Sequence, residues 1–203
     1  MKRLNVLVAC ERSGVVRDAF IARGHDAVSC DLYETDAPGP HIVGDARLVN
    51  MDGVDLLIAH PPCTDIAVSG AAHFKKKIAD GRQQEALDFV RFFLDAPVPR
   101  IAVENPISVI SSQIYPPTQI IQPYQFGHPT TKATCLWLEG LWPLMPTNIV
   151  EPEYGYSKTG KKYDKWLLWT SSLPHPLRAK ERSQTFQGIA DAMAEQWGGP
   201  IVS

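Results

Sequence analysis

Residues 54–64 (VDLLIAHPPCT) drive an apolar run straight into two prolines and a cysteine. The run has the length and composition of a buried strand. Neither proline carries an N–H, so a ladder cannot continue through Pro61 and Pro62, and the strand must stop there. Cys63 therefore stands where a strand of an α/β sheet would end. In open sheets the binding crevice lies outside those carboxyl ends. A thiol held there on a stiff turn is a candidate nucleophile. The alternative is a buried small hydrophobe, the commonest state of a free cysteine. The stretch alone does not choose between them.

The rest of the pattern supplies the sheet. Residues 4–9 read as a first buried strand, 10–14 as a turn, and 15–23 as a helix ended by Gly24. Residues 26–31 form a second strand closing on Asp31, and 41–45 a short third closing on Asp45. Residues 83–94 carry Ala86, Phe89, Val90 and Phe93 on one helical face. Residues 100–103 are another strand, ending at Glu104, Asn105 and Pro106, followed by strands at 119–122 and 133–138 and a final helix at 189–197. Strands alternating with helices predict an α/β, doubly wound, mostly parallel sheet with right-handed crossovers.

At 203 residues the chain is expected to be a single domain, 1–203. A formal net charge of -2 excludes a global electrostatic demand for nucleic acid, so such a surface must be a local basic patch. Four scattered cysteines make no disulfide framework and point to a reduced, cytoplasmic compartment. Met1, Lys2, Arg3 and Leu4 lead directly into a short strand, with no signal-peptide or membrane-span pattern. Most of the 17 prolines follow residue 90, which predicts a loop-rich second half with a small hairpin and loop insertion at 139–180.

The acidic residues at strand ends are informative as a set. Asp31 has about the spacing at which nucleotide-binding folds place a carboxylate on ribose hydroxyls. Asp45 and Glu104 end later strands. Each alone reads equally as a turn or capping carboxylate; three together indicate a small polar ligand along one edge. The first turn, residues 9–14, holds a single glycine, Gly14, and fails as a phosphate loop, so a pyrophosphate-bearing cofactor is not expected.

Pro61-Pro62-Cys63 together with Glu104-Asn105-Pro106 resembles the DNA (cytosine-5) methyltransferases, in a compact form of phage or bacterial type. The segment Phe126-Gly127-His128-Pro129 is similar to that family's aromatic-Gly-x-Pro segment. Gln187-Gly188 and the helix after it resemble a reduced form of its last motif. The resemblance implies a Rossmann-like, S-adenosylmethionine-dependent methyltransferase fold, with Cys63 as nucleophile and Glu104 as the carboxyl group on the base. It implies cofactor contacts from Cys10, Glu11, Gly14, Asp31, Asp45 and Pro61. Pro62, Arg82, Asn105, Pro106 and Lys132 would shape the base site, and no metal is implied.

The chemistry suits these residue types. Cytosine C5 is a poor nucleophile; thiolate addition at C6 makes it an enamine carbon able to attack a sulfonium methyl group. Cations near Cys63 are expected to lower its pKa, and a carboxyl group on ring N3 and the amino group stabilises the adduct. An amino-methylating enzyme carries an aromatic residue after the Pro-Pro pair, where this chain has Cys63. A zinc deaminase needs a second cysteine that residues 62–66 lack. The expected partner is DNA, either a duplex with a flipped base or a single strand. Residues 64–81 are expected to be a loop over the base, with Ser69-Gly70 as hinge and Lys75, Lys76 and Lys77 on phosphate or simply solvated.

The sequence also departs from the family. Where the family has Gln-x-Arg-x-Arg, residues 130–134 read TTKAT: Lys132 replaces the first arginine and Thr134 the second. Glu11 and Arg12 occupy a turn where small residues are expected. The recognition region is reduced to a hairpin at 154–166, whose tip includes Lys158, and to the basic stretch 178–182. Its aromatic residues suit either base stacking or ordinary sheet packing. Two rivals therefore stay open: a thiol-adduct enzyme with another pyrimidine or another electrophile, and a nucleic-acid-binding protein without turnover.

Overall fold

The computed structural model describes residues 3–157 and 159–199; Met1, Lys2 and Lys158 lie outside them. In chain order the elements are β1 (Asn5–Ala9), α1 (Val15–Ala22), β2 (Asp26–Asp31), β3 (His41–Val43), β4 (Leu56–Ala59), α2 (Phe74–Ala79), α3 (Arg82–Leu94), β5 (Ile101–Pro106), α4 (Ile110–Gln113), β6 (Gln119–Ile121) and β7 (Thr134–Glu139). There follow β8 (Tyr154–Tyr156), β9 (Lys162–Asp164), α5 (Lys165–Ser172), α6 (Leu177–Ser183) and α7 (Gln187–Trp197). Strands β1 to β7 form one sheet in the order β3-β2-β1-β4-β5-β7-β6, in which β7 runs antiparallel to both its neighbours. This mostly parallel order with one reversed strand is that of the class I S-adenosylmethionine-dependent methyltransferase fold.

The continuous apolar runs of β1 and β4 follow from burial on both faces. Side chains alternate across a strand. Val6, Val8, Leu56 and Ile58 enter one core with α1 and α7, while Leu7, Ala9, Leu57 and Ala59 enter another with Leu87, Val90 and Phe93 of α3. Among the described residues no helix is long and apolar enough to cross a membrane.

Three sequence expectations change. The strand expected at 100–103 continues through Glu104 and Asn105 to Pro106, because β7 pairs along its far side down to Pro106↔Thr134. Residues 64–81 are not an open loop: they hold a 3-10 helix, Val68–His73, and then α2. There Lys77 is buried, donates to the Thr64 carbonyl and pairs with Asp65, so it turns inward rather than toward a phosphate. Finally, the expected hairpin ends at Asp164, and Trp166 lies in α5. Asp164 accepts the Leu167 N–H at 3.1 Å and so caps that helix.

Candidate active site

The site is set by the register of β4 against β5. Ala59 pairs with Val103, so the next residue on each parallel strand, His60 and Glu104, emerges side by side beyond the last shared rung. The His60 N–H makes one more bond, to the Ala9 carbonyl at 2.9 Å. The prolines then end the ladder, and the Pro61 carbonyl is satisfied by Asn105 Nδ2 at 2.9 Å. His60 Nδ1 lies 2.7 Å from Glu104 Oε2, with both side chains 13% exposed. The Thr185 hydroxyl, arriving from the segment before α7, donates to the same oxygen at 3.3 Å.

Burial alone would lower the His60 pKa and raise that of Glu104. The mutual charge and hydrogen bond outweigh it, with Glu11 adding to His60 and Lys132 to Glu104, so His60 ends raised and Glu104 lowered. Lys132 stands against both Glu104 and Cys63. Its Nζ lies 5.6 Å from the Phe186 ring centroid, and burial pushes its ammonium below the ordinary value.

Two thiols reach the same cleft, and their surroundings separate them. A cleft of about 560 Å³ is lined by Cys10, Glu11 and Asp31 at one end and by His60, Pro62 and Cys63 at the other, with Lys180, Arg182 and Thr185 closing over it. Burial and the neighbouring Asp31, Cys30 and Asp45 push the Cys10 thiol up to about 12. Cys63 faces Lys132 and Lys77 as well as Glu104. The cations expected around Cys63 are present, yet burial dominates and its pKa is raised, not lowered. That corrects the sequence expectation: a desolvated thiol resists ionisation even beside two ammonium groups.

The opposite end continues into a hollow of about 300 Å³ that shares Cys10, Asp31, Tyr33 and Pro62 and adds Asp45, Arg47 and Phe89. Asp31 Oδ1 accepts the Tyr33 N–H at 3.1 Å, and the carboxylate stays half-buried on the wall. Asp45 is differently placed. It caps a 3-10 turn at Ala46–Leu48, and both its oxygens are held by Arg47 at 2.5 to 3.1 Å. Glu11 is buried and accepts the Val16 and Arg17 N–H groups at 2.6 and 3.2 Å, occupying the N-terminus of α1. Burial lifts its carboxyl above the usual range against the pull of His60 and those amides.

The remaining predicted residues divide. Gly14 is the left-handed N-cap of α1, where a Cβ would overlap the buried Arg17 guanidinium; it supports the turn from behind. Pro61 and Asn105 join β4 to β5, and Pro106 ends β5 against Thr134. Arg82 is exposed and pairs with Asp80 at 2.8 Å and Asp65 at 3.4 Å, bracing the segment after Cys63. Thr134 donates to the Lys132 carbonyl at 3.1 Å and brings no charge to the site. The two later motifs meet: the Gly188 N–H donates to His128 Nε2 at 2.9 Å. Sequence reasoning assigned no role to His60, Thr185, Arg47 or Phe89. For His60 a signal existed, since it directly precedes the prolines at the strand end that faces Glu104.

No protein-family model and no curated protein matches the chain. Among solved structures it is similar to a prophage-encoded Escherichia coli protein described as a DNA modification methyltransferase, with 16% identity and a TM-score of 0.49 over 73% of this chain and 52% of that one. It is also similar to the Entamoeba histolytica methyltransferase EhMeth, with 17% identity and a TM-score of 0.48 over 76% of this chain and 59% of that one. The chain thus spans less than two thirds of the length of either.

Proposed function

We propose that the chain is a DNA cytosine-5 methyltransferase-like enzyme that uses Cys63 as nucleophile and Glu104 as the group on the base. The observation that carries this reading is the shared cleft: Cys63 stands beside the His60–Glu104 pair, and the far wall holds Asp31. That wall fits a nucleoside without phosphates. It offers the Asp31 carboxylate for ribose hydroxyls, with Asp45 held by Arg47, and the rings of Tyr33 and Phe89, which carry the Arg12 and Arg47 guanidinium groups at 5.7 and 5.4 Å, for a purine, with no glycine cradle for a pyrophosphate. Asp31, Cys10 and Tyr33 would hold S-adenosylmethionine there, and the cofactor would supply an electrophilic methyl group. Cys63 adds to C6 of the base, Glu104 binds ring N3 and the amino group, and Lys132 balances the charge between them.

Arg47 holding Asp45 favours a second reading, in which the same thiol chemistry serves another electrophile or another pyrimidine. One experiment separates them. The protein is incubated with S-adenosylmethionine and DNA containing 5-fluorocytosine, beside a Cys63→Ala control. The proposal expects a Cys63-dependent covalent complex carrying the methyl group. A complex without the methyl group points to a changed electrophile. No complex on any DNA, with cofactor binding measured separately, points to another substrate or to a binding protein.

A further inference from the structure

We propose that His60 is a positioning residue for the base-addition step: it orients Glu104 and stores, jointly with it, the proton delivered to the pyrimidine ring. The proposal rests on the reading of Cys63 and Glu104 given above. The geometry begins with the short contact, 2.7 Å between Nδ1 and Oε2, made where the strand register forces the two residues together. His60 is fixed on one side by its N–H on Ala9 and on the other by Pro61. Both contacts to Glu104, from His60 and Thr185, fall on Oε2. The other imidazole nitrogen, Nε2, is buried without a hydrogen-bond partner among the described residues. A histidine buried only for packing would not need its charged neighbours. This one has Glu104 from β5, Glu11 from the first turn and Lys132 from the segment before β7.

The chemistry explains the need. A bare carboxylate beside ring N3 repels the electron pair that collects there when a thiolate adds to C6. In the step proposed, the S–C6 bond forms, the C5=C6 pair becomes C4=C5, and the C4=N3 pair takes a proton from Glu104. The Nδ1 proton of His60 moves onto Glu104 as Glu104 protonates N3, so the imidazole ends neutral and the carboxylate ends as an anion that accepts the new N3–H, with Lys132 as its remaining counter-charge. Elimination returns the proton by the same route. Arginine in this place would hold Glu104 but not release a proton, because it stays charged in proteins; imidazole does both.

The test needs no cofactor. Addition at C6 makes C5 exchangeable, so loss of the C5 hydrogen from cytosine in a DNA oligonucleotide in D₂O reports the step directly. The groups facing the pair are Glu11, Lys132, Cys63 and each other. Wild-type exchange should follow a bell in pH, rising as Cys63 ionises and falling as the pair loses its proton. His60→Gln should slow exchange by about 100-fold and leave only the rising limb, with DNA affinity unchanged. In parallel, NMR should place the His60 imidazole titration above the ordinary histidine value, returning toward it in Glu104→Gln. Exchange by His60→Gln with the wild-type rate and bell, or a His60 titration at or below the ordinary value, would overturn the role. Absence of exchange in the wild type would instead overturn the cytosine reading on which the role rests.

Discussion

The two ends of the cleft handle charge in opposite ways. At the Cys63 end, His60, Glu104, Cys63 and Lys132 are withdrawn from water and face one another, and each is displaced from its ordinary pKa. At the Asp45 end, beyond the half-buried Cys10 and the buried Glu11, the ionised groups lie nearer the surface and find close local partners: Asp45 with Arg47 two residues on, and Asp36 bridged by Arg12 at 3.0 Å and Lys180 at 3.1 Å. Coulomb energy at a given distance grows several-fold as the effective dielectric falls from that of water toward a protein interior. Exposed pairs are screened and contribute little. Burying four ionisable groups in one corner is costly unless they serve chemistry, and perturbed groups in a cleft mark functional sites more often than structural ones. On the proposed function, the reaction would lie at the β4–β5 end and the other end would be the binding wall.

The largest effect should come from breaking the buried pair one-sidedly. Glu104→Ala leaves His60 facing Lys132 with only Glu11 as counter-charge, and removal of one partner from a buried pair costs about 3–5 kcal/mol. Glu104→Gln, which keeps a hydrogen-bond acceptor, should cost less. The pH dependence has a definite sign. The His60 value is raised on folding, so its share of stability is complete below the ordinary histidine range and fades as pH rises through the raised value. The Glu104 value is lowered, so its share is present above the ordinary carboxylate range and fades as pH falls through the lowered value. Urea unfolding across pH should show the pair's contribution between those limits in the wild type, and no alkaline fade of this origin in Glu104→Gln.

A smaller effect is expected where backbone approach, not charge, holds the start of α7 against residues 126–128. Gly188, in the first turn of α7, lies so close to the Phe126 carbonyl that a Cβ would overlap its oxygen. Gly188→Ala should therefore cost about 1–3 kcal/mol, the range for overpacking a tight contact, read as a lowered urea midpoint. Because the same helix start donates to His128 and follows Thr185, the substitution should also loosen the Thr185 contact to Glu104 and slow adduct formation.

How much of this could be read from the sequence depends on how far away the deciding partner lies. The limits of β2 matched the expectation at 26–31, because alternation and a following turn are local signals. The strand-ending role of Pro61 and Pro62 was equally local, since a missing N–H needs no partner to act. The extension of β5 to Pro106 was not legible, because β7, 32 residues on in the pairing of Glu104 with Leu136, decides it. His60 carried a local signal, its place directly before the prolines, but its pairing with Glu104 did not, because that exists only through the Ala59↔Val103 register. Lys77 was misjudged in kind: it read as a phosphate contact or a solvated charge, and only the packing around α2 shows it buried as a bridging group. Glu11 was expected at the cofactor, and its second role, accepting the first N–H groups of α1, appears only in the packing around that helix. The fold was thus more legible than the site, because a fold is written in periodic patterns and a site in crossings between strands.

The smallest effect tests the wall end of the comparison. Asp45 is held down to about 2 by the hydrogen bonds and charge of Arg47, in an exposed pair. Its depressed value means that whatever stability it brings is present above the ordinary carboxylate range and lost only as pH falls toward about 2. Screening at the surface makes that share small, so Arg47→Ala should leave the melting temperature near neutral pH unchanged while NMR shows the Asp45 titration rising toward the ordinary range, held below it by the retained backbone N–H of residue 47. The same substitution frees Asp45 Oδ2, while Oδ1 keeps the backbone N–H of residue 47 at 2.9 Å, in a hollow that Asp31 and Phe89 already line. If that hollow is the purine end of a nucleoside site, calorimetry should show S-adenosylmethionine binding to Arg47→Ala more tightly than to the wild type. Weaker binding would mean that Arg47 itself contacts the ligand, and the wall would then suit an anionic electrophile better than a neutral purine edge.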